Sequence, residues 1–221
     1  MEEDSILGIK PTIIYGSTTI SIIDNGTDRL RMEGFYLTGG LSLGTTLESP
    51  TFIKCRFVTI LNNSSVNLVK NARFNHCKIT SELYLMGNSS AFCSNCIITN
   101  PFILTSGSDT PFTEINNSVV LLTGNNSKQL GSPSGVQNSY LNNCIIYVAS
   151  TYGDYYSFPA STSLYNNVSN QPNAFKNCLN TTNQIAEMDS LFLNFTTEVD
   201  NSDYTLTDEA KSTYLGTDGT E

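Results

Sequence analysis

One phrase recurs along this chain, and it restricts the fold more than any other feature. It reads apolar, two residues of any kind, Cys or Ser, any residue, apolar: "FIKCRF" (Phe52 to Phe57), "FNHCKI" (Phe74 to Ile79), "CSNCII" (Cys93 to Ile98), "INNSVV" (Ile115 to Val120), "LNNCII" (Leu141 to Ile146) and "FKNCLN" (Phe175 to Asn180). Between Cys55, Cys77, Cys96, Ser118 and Cys144 the steps are 22, 19, 22 and 26 residues, and "RMEGFYL" extends the series backward with Gly34 as its central residue. A period near twenty with small irregularities marks a solenoid whose loops vary in length. Leucine-rich repeats have a Leu and Asn grammar that is missing here, and helical repeats need longer periods with a 3.6-residue apolar rhythm. A parallel β-helix fits, since its short strands pair with their equivalents above and below and so stack equivalent residues along the axis.

In that arrangement the central residue points inward at the start of a strand after a tight turn. Cys55, Cys77, Cys96, Ser118 and Cys144 are then one internal ladder of small side chains. The preceding residue is Asn95, Asn117, Asn143 and Asn177 in later repeats. Asparagine tolerates left-handed backbone, and its amide can bond to the amide above, so these positions are expected to form a corner ladder. Glu33, Lys54 and His76 hold the corner in the early repeats. The expected count is about seven or eight rungs.

Composition agrees with strands and turns. Charged residues make up only 14%, with Asn, Ser and Thr where a helical protein carries Glu, Lys and Ala. The formal net charge of -9 opposes a nucleic-acid backbone, so DNA and RNA are excluded as expected partners. No run of about 18 apolar residues occurs, and "MEEDSILGIK" lacks the basic start and apolar stretch of a signal peptide. Neither membrane insertion nor an export signal is expected within this chain. The six cysteines lie mostly in apolar strand-like phrases, where free, buried thiols are expected rather than disulfides.

The pattern resembles the right-handed parallel β-helix proteins of the pectate-lyase-like superfamily, in particular secreted bacterial members rich in "NC" plus apolar phrases. The ending is similar too: "SLFLNF" and then "DYTLTDEAKSTYLGTDGTE" place Phe192, Asp203, Tyr204, Leu206, Gly216, Asp218 and Gly219 where such proteins close. Asp208, Glu209, Ala210 and Lys211 stand where a Ser-Pro-Ala is usual, which departs from the pattern. The resemblance implies an all-β fold, a single-stranded right-handed parallel β-helix. Rungs are expected over residues 1–180, with a non-repetitive segment over 181–221 packed on the solenoid in the same domain. It also implies an extracellular or bacterial cell-surface setting. Such motifs specify a fold rather than an activity.

Two insertions, near 123–138 and 149–161, interrupt the rhythm and are expected to project as loops. The second carries Tyr152, Asp154, Tyr155, Tyr156 and Phe158. Tyrosine faces can stack on sugar rings while an Asp accepts hydroxyl bonds; the alternative, favoured by how often large aromatics are packed, folds these rings over the solenoid flank. One residue past the central position the series runs Phe35, Arg56, Lys78, Ile97, Val119, Ile145. Its later part is an apolar stripe that needs a cover, either the tail with Leu191, Phe192, Leu193, Phe195, Tyr204 and Leu206 or a partner protein.

Arg56 and Lys78, with Glu33, Lys54, Arg73, His76 and nearby Arg29, Arg31 and Glu82, form a basic patch suited to an anionic glycan. It lacks the Asp cluster of a calcium-dependent lyase and the carboxylate pair of a glycosidase. His76, Cys77, Cys93 and Cys96 have zinc-like residue types, but the repeat gives Cys93 an inward apolar place and His76 a corner, which argues against a metal site. No cofactor is expected. The function that follows is a non-catalytic extracellular or cell-surface module for binding polysaccharide or surface glycan, or for adhesion, with Tyr152, Asp154, Tyr155, Tyr156, Arg56 and Lys78 as candidate contacts. A polysaccharide lyase or glycosidase, and a structural spacer in a larger surface protein, are the alternatives.

Overall fold

The computed structural model describes residues 11–20, 30–43, 47–62, 69–85, 89–103, 113–123, 139–149, 162–172, 183–196 and 202–214. They form a parallel β-solenoid built on two long sheets. A seven-stranded sheet runs Arg31–Glu33, Thr51–Ile53, Ala72–Asn75, Ala91–Ser94, Thr113–Asn116, Ser139–Asn142, Thr162–Tyr165. An eleven-stranded sheet takes up the chain after each corner, from Phe35–Leu43 through Arg56–Asn62, Lys78–Leu85, Ile97–Thr99, Val119–Leu122 and Ile145–Val148 to Val168–Ser169 and Gln184–Ile185.

Register turns the repeat into columns. Within the seven-stranded sheet Met32, Phe52, Phe74, Cys93, Ile115, Leu141 and Leu164 are successive partners. All but Met32 are buried. Across the interior Leu37, Phe57, Ile79, Ile98, Val120 and Ile146 make the matching column. The rings of Phe52 and Phe74 stack at 4.9 Å, and the Phe57 ring meets Phe52 edge-on at 5.6 Å, so these early rungs are filled by aromatic volume.

Between the sheets each rung turns through one left-handed residue: Gly34, Lys54, His76, Asn95, Asn117, Asn143 and Asn166 all have φ between 47° and 72°. This corrects the repeat in two places. Gly34 occupies the corner, not the central position, so Tyr36 rather than Phe35 is the partner of Arg56. The last such corner in the described residues belongs to "LYNNVS" (Leu164 to Ser169), whose Val168 is the partner of Ile145. Asn177 and Cys178, and the phrase around them, lie outside the described residues. The inserted stretches 124–138 and 150–161 do as well, while the strands on either side of each remain paired in register.

The C-terminal residues take up the apolar stripe. Helix Met188–Leu191, an antiparallel pair of Phe192–Asn194 with Asp203–Leu206, and helix Asp208–Tyr214 follow the last rung. Val168, Ala186, Met188, Leu191, Phe192 and Ala210 form a buried cluster, with Val119, Ile145, Tyr147, Phe195, Tyr204 and Leu206 packed against it. Ile97 and Leu121 are buried beneath Tyr147, Phe195 and Tyr204. Leu193 points away at 62% exposure, on the side of the strand opposite Phe192. The Thr207 hydroxyl links the two helices: it donates to the Ser190 carbonyl at 2.8 Å and accepts the Ala210 N–H at 3.1 Å.

Candidate functional site

The two candidate contacts on strands occupy one outward column, Tyr36, Arg56, Lys78, Ile97, Val119, Ile145. The Arg56 guanidinium lies over the Tyr36 ring, 4.3 Å from its centroid, a cation–π contact. Lys78 is 3% exposed, which removes it from direct contact with a ligand in this arrangement. Tyr152, Asp154, Tyr155, Tyr156 and Phe158 lie outside the described residues. The strand-borne basic residues are also divided by the corner: Arg31 and Arg73 belong to the seven-stranded sheet and Arg56 and Lys78 to the other. They do not form one patch on one face.

The internal ladder is more than a set of small residues. Cys55, Cys77, Cys96, Ser118, Cys144, Asn167 and Asn183 follow one another at the strand starts. Each ladder side chain bonds to its own turn or to the rung before. The Cys77 thiol reaches the Phe52 carbonyl at 3.3 Å, the Cys144 thiol the Ile115 carbonyl at 3.3 Å, and the Asn167 amide the Leu141 carbonyl at 2.9 Å. In the other direction the ladder atom accepts a main-chain N–H: Cys77 N–H to Cys96 Sγ at 3.4 Å, Cys96 N–H to Ser118 Oγ at 3.1 Å, Cys144 N–H to Asn167 Oδ1 at 2.9 Å. A buried strand start leaves an N–H and a C=O that must be paired. The position therefore demands a short side chain that both donates and accepts, which Cys, Ser and Asn are and Ala is not.

This arrangement disfavours the thiolate at Cys55, Cys77, Cys93 and Cys144. Burial pushes the Cys144 thiol up to about 12. Burial, with neighbouring thiols adding to it, raises Cys93 further, and the hydrogen-bonded Cys77 together with burial raises Cys55. A nucleophile or metal ligand needs the thiolate. Exposed His76 points its Nδ1 to Asn75 Oδ1 at 2.9 Å, while Cys77 and Cys96 sit in the ladder and Cys93 in the core column. Among the described residues no three His, Cys, Asp or Glu side chains converge as metal ligands do.

The outer face of the seven-stranded sheet is the feature the sequence reading passed over. One outward column runs Arg31, Thr51, Arg73, Phe92, Glu114, Tyr140, Ser163, and its neighbour runs Glu33, Ile53, Asn75, Ser94, Asn116, Asn142, Tyr165. The Arg73 guanidinium is 5.9 Å from the Phe92 ring centroid. Asn142 donates to Asn116 at 2.8 Å and Asn116 donates to Glu114 at 2.7 Å, so three polar side chains are held in one orientation. These residues fall three and one places before each corner, a spacing visible in the repeated phrase itself.

Compared with protein-family models, curated proteins and solved structures, the chain finds no match in any of the three. Only the site's own chemistry speaks to function.

Proposed function

We propose that this chain is a non-catalytic β-solenoid module, extracellular or at a cell surface, that binds glycan or mediates adhesion. The supporting observation is the outer face of the seven-stranded sheet, where the Phe92 and Tyr140 rings stand beside the linked amides of Asn116 and Asn142, while the tail seals a face of the other sheet. Rings supply an apolar plane for the C–H face of a sugar, and amides and carboxylates supply hydrogen bonds to its hydroxyls. Membership of the pectate-lyase-like superfamily, of the secreted bacterial type, is part of the same proposal and rests on the recurring "NC" plus apolar phrases, strengthened by the closing motif around Phe192, Asp203, Tyr204 and Leu206.

A glycan array probed with the purified chain tests this reading, followed by incubation of every hit and assay for new reducing or unsaturated ends. Binding without cleavage is the expected result. Cleavage replaces the module with an enzyme, and silence on all glycans favours a structural spacer.

A further inference from the structure

We infer that the outer face of the seven-stranded sheet is a homophilic contact. Two copies of the chain meet there face to face with their solenoid axes antiparallel, about a two-fold axis that runs along the strand of Phe92. The inference rests on the adhesion half of the proposed function and names the partner, a second copy of this chain.

Charge placement carries it. In the outward column the strand before Phe92 bears Arg73 and the strand after it bears Glu114. Two strand spacings, about 10 Å, keep these two from pairing with each other. Arg73 lies over the Phe92 ring at 5.9 Å and Glu114 accepts the Asn116 amide at 2.7 Å, and neither makes an ion pair among the described residues. Half a turn about an axis along Ala91–Ser94 lays the face on its copy and reverses the order of the strands. Arg73 then faces Glu114 of the second copy, Glu114 faces its Arg73, and the two Phe92 rings meet between them. In the adjacent column Asn75 falls opposite Asn116, so amide meets amide. Solenoids laid parallel set each strand against its own counterpart, and the two charges never meet. An isologous contact requires self-complementarity of the first kind.

Packing distance and field agree. Sheets stacked face to face stand about 10 Å apart, a gap that an Arg and a Glu span together and two aromatic rings fill. Phe92 and Glu114 are half-buried and Arg73 is exposed, so each reaches from the sheet toward solvent. Two copies of net charge -9 repel one another overall. The two outward columns hold Arg31 and Arg73 against Glu33 and Glu114, with Arg31 paired to Glu33 at 2.7 Å. This is a balanced surface on an acidic molecule, where a second copy is least opposed. The face measures about 30 Å by 13 Å, small beside the roughly 800 Å² per partner of a standard interface. One pair of copies therefore associates weakly, and many copies on one surface add through avidity.

The experiment is sedimentation equilibrium on the full chain, with Arg73→Glu and Glu114→Arg as two separate chains, each alone and then mixed. The unaltered chain is expected to form a weak dimer, populated by about 1 mM. Each swapped chain alone sets like charges opposite one another twice and is expected to dimerise at least about ten-fold more weakly. An equal mixture of the two is expected to recover the original association, because every contact again joins an Arg to a Glu. Phe92→Ala removes the central rings and is expected to weaken the dimer about ten-fold. Circular dichroism checks that every variant keeps its strands. An unaltered chain that stays monomeric, a dimer that neither swap weakens, or swapped chains that mixing does not rescue each overturns the homophilic contact. Those results leave the module standing, since its own test is the glycan array. Cleavage of a glycan there overturns the module and leaves the sedimentation result untouched.

Discussion

The main-chain N–H of Cys144 points at Asn167 Oδ1, 2.9 Å away on the following rung, while the Asn167 amide donates to the Leu141 carbonyl at 2.9 Å. One fully buried side chain thus bonds two main-chain groups on different rungs. Asn167→Ala removes both bonds and is expected to cost about 3 kcal/mol. Asn167→Ser, which keeps a donor and an acceptor, is expected to cost less than half of that. Urea unfolding of the three proteins reads the difference; equal losses for Ala and Ser would show that volume, not hydrogen bonding, governs the position.

The same ladder sets an alkaline limit on stability. Cys144 is held protonated to about 12 by burial, whereas in the unfolded chain its thiol ionises near the ordinary value of about 8.5. A folded-state pKa raised in this way gives stability that is complete below the unfolded value and is lost as pH rises through the folded one. The urea midpoint is therefore expected to be flat up to about pH 8 and then to fall, Cys144 alone contributing about 1.4 kcal/mol per pH unit. Cys93 and Cys77 are raised mainly by burial and steepen the fall. A midpoint unchanged between pH 8 and pH 10.5 would contradict buried, protonated thiols.

Much of this was legible because a solenoid repeats place, and repeated place selects repeated residues. Cys55, Cys77, Cys96, Ser118 and Cys144 announced the ladder, and Ile97, Val119 and Ile145 announced a stripe that the tail residues Phe192, Phe195, Tyr204 and Leu206 meet. What slipped did so for physical reasons. Gly34 is small enough for the ladder, yet glycine's freedom at positive φ suits the corner better. Asn167 is larger than the other ladder residues and shares with them only paired donor and acceptor capacity, which smallness alone does not reveal. The outer face was hard to see because Arg73, Phe92, Glu114 and Tyr140 differ in type and share only a register.

Corner strain offers a gain. Lys54 sits at φ 50° where later rungs use Asn, and a left-handed backbone costs an ordinary L-residue roughly 1–2 kcal/mol. Lys54→Asn is expected to stabilise the chain by about 0.5–1 kcal/mol, read as a raised urea midpoint with unchanged slope. A lowered midpoint would mean that Lys54 contributes more through its side chain than its backbone costs.

The N-terminal strands depend on a close approach of two glycines. A Cβ on Gly39 would stand 2.5 Å from the Gly16 carbonyl carbon and 2.6 Å from its oxygen. Backbone cannot yield as a flexible side chain does. Gly39→Ala is therefore expected to displace Thr12–Ile20 from Phe35–Leu43 and to cost about 1–3 kcal/mol. Hydrogen exchange should quicken at Thr12–Ile14 and Thr18–Ile20 and stay slow at Phe74 and Ile115. Gly16→Ala meets open space and only its φ of 88°, so its cost is expected to be smaller; a larger cost than that of Gly39→Ala would refute the close-approach account.

The tail closes the flank through a cluster of rings. Phe192 stacks with Phe195 at 5.8 Å and meets Tyr204 edge-on at 5.4 Å, and Phe195 lies 4.9 Å from Tyr147 on the solenoid. Phe192 is almost fully buried, so Phe192→Ala is expected to cost about 3–4 kcal/mol. The loss should be local at first, because the ladder and both inner columns make their own contacts beneath the stripe. At moderate urea the variant is expected to bind a hydrophobic dye on uncovered Ile97, Val119, Leu121 and Ile145 while retaining the strand signal in circular dichroism. Simultaneous loss of strand signal and tail packing would instead make the tail an integral part of the solenoid's cooperative core.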